Sequence, residues 1–188
     1  MKKTKVSLMV ALFILATAFT NQATSGKYMT KNGKISFFSH TDMEDIAADN
    51  NKVSSVLDSK TGKVQIEVLI KSFKFKKALM EEHFNENYME STKYPKSKFD
   101  GKIDDLAAID FSKDGTYTSN ISGNLTIKDK TNPVKTKGTF VVKGGKINGK
   151  AKFKVALADY NVTVPEVVKN KIAKEIELTV DLDYSPFK

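Results

Sequence analysis

The side chains able to do acid–base, nucleophilic or metal chemistry are few in this chain and badly spaced for it. There are two histidines, His40 and His83, and no cysteine, which removes a thiol nucleophile and most zinc arrangements. Glu81 and Glu82 are adjacent; consecutive residues on a helix point to different sides, so these carboxylates read as a solvated face and not as a catalytic pair. Gly144-Gly145 is too brief to cradle a phosphate and has no helix behind it. No nucleophile elbow, P-loop or dinucleotide fingerprint occurs. With no residues to assign to catalysis, no enzyme, metal or cofactor is expected, and a hydrolase or isomerase ranks last among the readings.

All 31 basic residues are lysine and the formal net charge is +9. Bidentate recognition of phosphate or guanine favours the arginine fork, so no nucleic-acid partner is expected. A lysine-coated exterior is the plain consequence of this composition, and weak contact with an anionic membrane surface the sharper one.

Lys2, Lys3 and Lys5 precede an uninterrupted run of apolar and small residues from Val6 to Phe19. That is a signal-peptide pattern, and the run is short for a membrane span. Ala16 and Ala18 give a small-x-small site, so residues 1–18 are expected to be a signal peptide, with cleavage after Ala23 as the alternative. Without a cysteine the lipoprotein route is closed. The expectation is an exported protein, periplasmic or secreted, with a flexible leader over 19–32 and one domain over 33–188. A domain of that size can rest on its apolar core without disulfides.

The elements that must position any site are mostly strands. Ile35 and Phe37 share a phase in a first strand over 34–40. A less regular extended stretch runs over 45–51, and a second strand over 53–57 leads to a turn with Gly62 at positive φ. Val64, Ile66, Val68 and Ile70 alternate with polar residues, but Phe73 and Phe75 fall in the opposite phase, the mark of a bulge or a bend. Further alternating runs follow around Phe99, Ile121, Phe140, Phe153 and Leu178, with turn residues between them. About eight short-linked strands with one wet and one dry face predict an all-β, eight-stranded antiparallel barrel that closes its own edges.

Two stretches break the rhythm. Over about 77–90, Leu79 and His83 form one four-residue row and Met80, Phe84 and Tyr88 the next, which predicts a short amphipathic helix ending before Tyr94-Pro95. It is the natural lid of a closed sheet. Near 161–173, Val164-Pro165 precludes a central strand, and a loop or helical turn across a barrel end is expected.

Four strands each place a glycine on the apolar phase: Gly101, Gly123, Gly138 and Gly149. Such positions let a coiled strand bend, or they leave interior volume for a guest. An interior of hydrocarbon and phenyl suits an apolar, elongated ligand, because an unpaired buried charge is costly. The expected lining is Phe37, Val68, Phe73, Phe75, Leu79, Met80, Phe84, Tyr88, Phe99, Ile121, Gly123, Leu125, Phe140, Gly149, Phe153, Val155, Leu178 and Val180, with His83, Asp159 and Tyr160 as a polar rim.

GKISFFSH at 33–40, SVLDSKTGKVQIEVLIKSFKF at 55–75, LMEEHFNENYMESTKYPKSKFDGKI at 79–103, GNLTIKDKTNPV at 123–134 and FKVALADYNVTVP at 153–165 together resemble the YceI family of exported polyisoprenoid-binding proteins. The HFNENYMESTKYPKSKF block is the most specific of these. The resemblance implies a lipocalin-like barrel that binds a long apolar lipid. Many members carry an arginine or asparagine before an Asp-aromatic-Gly sequence; here Leu157-Ala158 precede Asp159-Tyr160, and Asn161 stands where glycine is common. The chain therefore resembles a branch lacking any head-group contact made by that arginine.

The expected function is non-enzymatic binding, transport or storage of a polyisoprenoid, isoprenoid quinone or fatty-acyl chain, by a monomer or homodimer. The alternative is an envelope scaffold or stress-response binding module with a filled barrel and a lysine-rich interaction surface.

Overall fold

A computed structural model describes residues 26–187. The expected signal peptide and both cleavage sites lie outside the described residues. Nine strands are formed: β1 (Lys27–His40), β2 (Asp45–Asp58), β3 (Lys63–Leu69), β4 (Lys74–Phe75), β5 (Lys96–Ile103), β6 (Gly115–Ile127), β7 (Lys130–Lys143), β8 (Lys146–Ala156) and β9 (Glu175–Pro186). All pair antiparallel in the order β1-β9-β8-β7-β6-β5-β3-β2-β4, and β1 also pairs with β2. Without the two-residue β4, this is a closed eight-stranded up-and-down barrel, so each long strand has both edges paired.

β1 begins at Lys27, inside the stretch expected to be a flexible leader: Tyr28 pairs with Leu57 on one side and with Pro186 on the other. A register break between Thr30 and Gly33 explains why the alternation there was illegible. β2 likewise runs unbroken through the irregular stretch. Its buried Asn50 disguises the pattern but is fully used, since Nδ2 donates to the Leu69 carbonyl at 2.9 Å and Oδ1 accepts from the Lys52 amide at 2.9 Å.

The phase change after Ile70 is a bend. One 3-10 turn, Ile70–Ser72, separates β3 from β4, and β4 then pairs with β2 at Ala48 and Asp49. The turn resets the alternation, so Phe73 and Phe75 face the same interior as Val64 and Val68. The helix is present as α1 (Ala78–His83), continued by a π-helical turn, Phe84–Tyr88, in which the Met89 amide donates to the Phe84 carbonyl at 2.9 Å. The second interruption holds two 3-10 turns, Leu157–Tyr160 and Glu166–Val168.

The four interior glycines divide between the two roles. Gly101 and Gly123 face each other across β5 and β6. A Cβ on Gly123 would lie 2.4 Å from the Gly101 Cα and 2.6 Å from the Asp100 carbonyl oxygen, and the Phe99 ring roofs the pair. At Gly138 a Cβ would meet the Ile121 Cδ1 at 2.5 Å. Only Gly149 has space, its nearest neighbour being Tyr184 Cε2 at 3.5 Å.

The floor of the barrel is a buried cluster that includes Val53, Leu57, Ile103, Ile147 and Tyr184. Ser55 Oγ donates to the Gln65 carbonyl at 2.8 Å, so in the 2.7 Å contact between Tyr184 and Ser55 the phenol is the donor. Burial pushes the Tyr184 hydroxyl up to about 12, an effect partly offset by the Ser55 contact. Between the ordinary value near 10 and about 12, the unfolded chain releases this proton while the native barrel keeps it. The stabilisation that this group contributes is therefore fully present below pH 10 and is lost as pH rises to 12. The full effect is roughly 3 kcal/mol. Urea midpoints at pH 9 and pH 11.5 should fall further in the wild type than in Tyr184→Phe; equal falls would refute the assignment.

Candidate functional site

Above the floor the barrel encloses a cavity of about 380 Å³, within the range of small-molecule sites. Of the residues expected to line an apolar interior, Phe37, Val68, Phe73, Phe75, Met80, Phe84, Tyr88, Phe99, Ile121, Leu125, Phe140, Gly149, Phe153, Val155, Leu178 and Val180 border it. Leu79 does not: α1 turns the Met80, Phe84 and Tyr88 row inward and leaves Leu79 61% exposed. Nor does Gly123, which is pressed against Gly101 beneath the Phe99 ring. On the rim, His83 and Tyr160 border the cavity, whereas Asp159 is exposed and contributes only its backbone carbonyl, which accepts from Asn132 Nδ2 at 2.6 Å.

Further lining comes from Ile35, Val64, Ile66, Ile176, Leu182 and Tyr184, all on inward strand phases and so legible in the alternation. Val162, Val168 and Ile172 also border the cavity but come from the 157–174 connection. That segment has no strand period, and nothing in its local pattern signals which side chains turn inward.

Two connections cover the mouth. In the first, Phe84 reaches down from the helical lid into an aromatic cluster, with ring centroids 5.5 Å from Phe37, 5.5 Å from Phe73 and 5.1 Å from Phe75. These tilted and offset contacts are favourable beyond simple burial. Glu81 ties the start of the lid to β4: it accepts from Lys74 Nζ at 2.5 Å and from the Phe75 amide at 3.3 Å. The Lys74 contact holds its carboxyl below the usual carboxylate range. The second cover, residues 157–174, is fastened at its ends. Leu157 N donates to Lys174 O at 3.0 Å, and Ala173 N donates to the buried Ser39 Oγ at 2.9 Å.

One ammonium joins the two covers. Lys128, in the β6–β7 turn, has a side chain only 8% exposed, and its Nζ contacts Glu90 Oε1 at 2.5 Å, the Tyr88 carbonyl at 3.2 Å and the Asn161 carbonyl at 3.3 Å. Those contacts use all three N–H donors. The ion also lies 5.8 Å from the centroid of the Tyr94 ring. Among the described residues, the non-glycine positions with positive φ are Glu90, Lys128 and Asn161, all members of this joint. Each pays a backbone penalty that the shared contacts offset. Asn161, in place of glycine, is one of the side chains that tolerate this conformation best.

Nothing here forms a catalytic constellation. Among the described residues no cluster of three or more histidine or acidic side chains could hold a metal ion. The lining is chiefly aliphatic and aromatic; its polar members include Ser97 and Thr136 on the strands, the Tyr184 phenol and rim groups such as Glu44, which lies 3.6 Å from Lys77. The arrangement can shelter an apolar chain from water and is ill suited to desolvating a charge.

Solved structures share this fold. A polyisoprenoid binding domain from Saccharophagus degradans, implicated in plant cell wall breakdown, superposes with a TM-score of 0.75 at 13% identity, over 86% of this chain and 99% of that one. Burkholderia cenocepacia BcnA gives 0.67 at 19% identity, over 80% and 95%. The Campylobacter jejuni YCEI protein gives 0.57 at 18% identity, over 74% and 83%. No curated protein matches the chain. At such identities the likeness establishes the barrel and no more. The sequence itself carries the assignment further: the family model described as YceI-like domain matches residues 18–184, the whole barrel from before β1 into β9, and the chain belongs to the YceI family.

Proposed function

We propose that this protein binds a long apolar lipid in its barrel: a polyisoprenoid, an isoprenoid quinone or a fatty-acyl chain. The observation that carries the proposal is the cavity of about 380 Å³, walled by aliphatic and aromatic side chains and closed at its floor by packed core. A filled barrel acting only through its lysine exterior does not fit that volume. The apolar wall favours chains whose burial releases water, at roughly 0.8 kcal/mol per methylene. The polar rim leaves any head group at the mouth. The role is carriage or storage without chemistry, and the signal-like pattern of the first 18 residues supports reading it as that of an exported, periplasmic or secreted protein.

Native mass spectrometry of gently purified protein, followed by organic extraction, tests this. The expected spectrum contains adducts in the mass range of prenyl or acyl lipids, recovered in the extract. A bare polypeptide that also fails to take up a dispersed prenyl alcohol would end the proposal.

A further inference from the structure

The most exposed large apolar side chains among the described residues are Val167 at 89%, Met43 at 64% and Leu79 at 61%; the others do not exceed 50%. These three belong to different connections. Met43 sits in the β1–β2 turn, Leu79 on α1 and Val167 in the 3-10 turn Glu166–Val168. All three connections lie at one end of the barrel, where β1, β6 and β8 finish and β2, β5, β7 and β9 start, and this is the end that bears the mouth of the cavity. Each exposed residue stands close to a cavity-lining one: Met43 precedes Glu44, Leu79 precedes Met80, and Val167 precedes Val168. In each of the three connections an exposed apolar tip thus stands beside a residue that borders the opening.

The charge of this end selects the partner. The mouth connections, residues 41–44, 70–95, 128–129 and 157–174, carry as many carboxylates as lysines. The lysine excess of the described chain is therefore on the walls and the far end. An acidic protein or a strongly anionic surface would be drawn to the walls. A neutral face with protruding aliphatic side chains fits the headgroup and acyl boundary of a bilayer, which such side chains enter by burying apolar area.

We propose that the mouth end docks on a lipid bilayer, seating Met43, Leu79 and Val167 among the acyl chains. This rests on the lipid-binding reading: an apolar cargo crosses from bilayer to cavity without passing through water only if the mouth meets the membrane directly. The docking is apolar, so it is insensitive to salt and proceeds on zwitterionic lipid.

The chain contains no tryptophan, so a single introduced indole reports its own surroundings. Met43→Trp, Leu79→Trp and Val167→Trp are each mixed with phosphatidylcholine vesicles, with Val56→Trp as a control on the outer wall of β2. The expected result is blue-shifted emission, quenched by lipids brominated on the acyl chain, at the three mouth positions and not at Val56, unchanged by added salt. Equal quenching at Val56, or binding that requires anionic lipid and disappears in salt, would overturn the proposal. So would a protein-concentration-dependent blue shift without vesicles, which marks a contact between copies of the chain.

Uptake of a prenyl alcohol separates this inference from the one beneath it. A Met43→Ser, Leu79→Ser, Val167→Ser variant should bind the alcohol from an ethanol dispersion as the wild type does, yet take it from vesicles about tenfold more slowly. If the dispersion delivers cargo to the wild type and no mouth indole is quenched, docking fails alone. If the indoles are quenched and no cargo binds by either route, the cavity reading fails instead.

Discussion

Replacing Gly149 by leucine leaves a folded barrel that no longer takes up a prenyl chain, whereas replacing Gly123 by leucine costs the barrel itself. The two glycines lie on equivalent dry faces, yet their surroundings are opposite. At Gly149 the first atom of a new side chain would make ordinary contacts, 3.5 Å to Tyr184 and 3.8 Å to Phe140, and the rest of the leucine would extend into the cavity. Its expected effect on stability is small, within about 1.5 kcal/mol, while uptake falls at least tenfold because the occupied volume is the ligand's. At Gly123 the added Cβ would meet the Gly101 Cα at 2.4 Å and the Asp100 carbonyl at 2.6 Å. These are backbone atoms of the paired strand and cannot rotate away. β5 and β6 must then separate, which breaks the ladder that runs from Lys98–Thr126 to Ile103–Ile121, and a loss of several kcal/mol follows. Circular dichroism and urea unfolding of both variants, with lipid uptake of whichever folds, check the pair. A stable Gly123→Leu, or a Gly149→Leu that binds normally, contradicts it.

The second large effect is expected at Lys128. In Lys128→Met the chain keeps its apolar stem and loses the ammonium, so the carbonyls of Tyr88 and Asn161 lose their donor. At about 1 kcal/mol for each of these two hydrogen bonds, the cost is roughly 2 kcal/mol; the ion pair is left out of that figure because Glu90 is substantially exposed. Three left-handed backbone positions lose their common support at the same time. Amide hydrogen exchange should therefore accelerate over residues 84–94 and 157–162 while the floor strands stay protected. Lys169→Met, which removes only an exposed pair with Glu166, serves as the control with no measurable change. Acid should loosen the same joint. Lys128 holds the Glu90 carboxyl below the usual range, so its contribution is present above the ordinary carboxylate pKa and is lost as pH falls through the lowered value. Uniform exchange in Lys128→Met and wild type would show that the two covers are fastened elsewhere.

The barrel and its apolar interior were legible from side-chain type and period alone. A strand places successive residues on opposite faces, so Val64, Phe99, Leu125, Phe153 and Leu178 announce the dry side without any knowledge of their neighbours. The helical lid was legible for the same reason, at its own period. Where local pattern was broken the outline failed: β1 over residues 27–32 is held across a register break by partners far along the chain, Leu57 and Pro186 at Tyr28, and in β2 over 45–51, paired with the preceding strand, a buried asparagine hides the rhythm. The four glycines looked alike in sequence because a missing side chain says nothing about what stands opposite it. Cross-strand register makes Gly101 and Gly123 a site of backbone contact and Gly149 a site of volume. The face that α1 turns inward depended on the cluster formed by Phe37, Phe73 and Phe75, and this left Leu79 outside with Met43 and Val167. The joint at Lys128 depended on three turns, distant in sequence, meeting at one charge. Period is a property of the local chain, whereas register, clearance and the convergence of loops are properties of which residues meet after the barrel has closed.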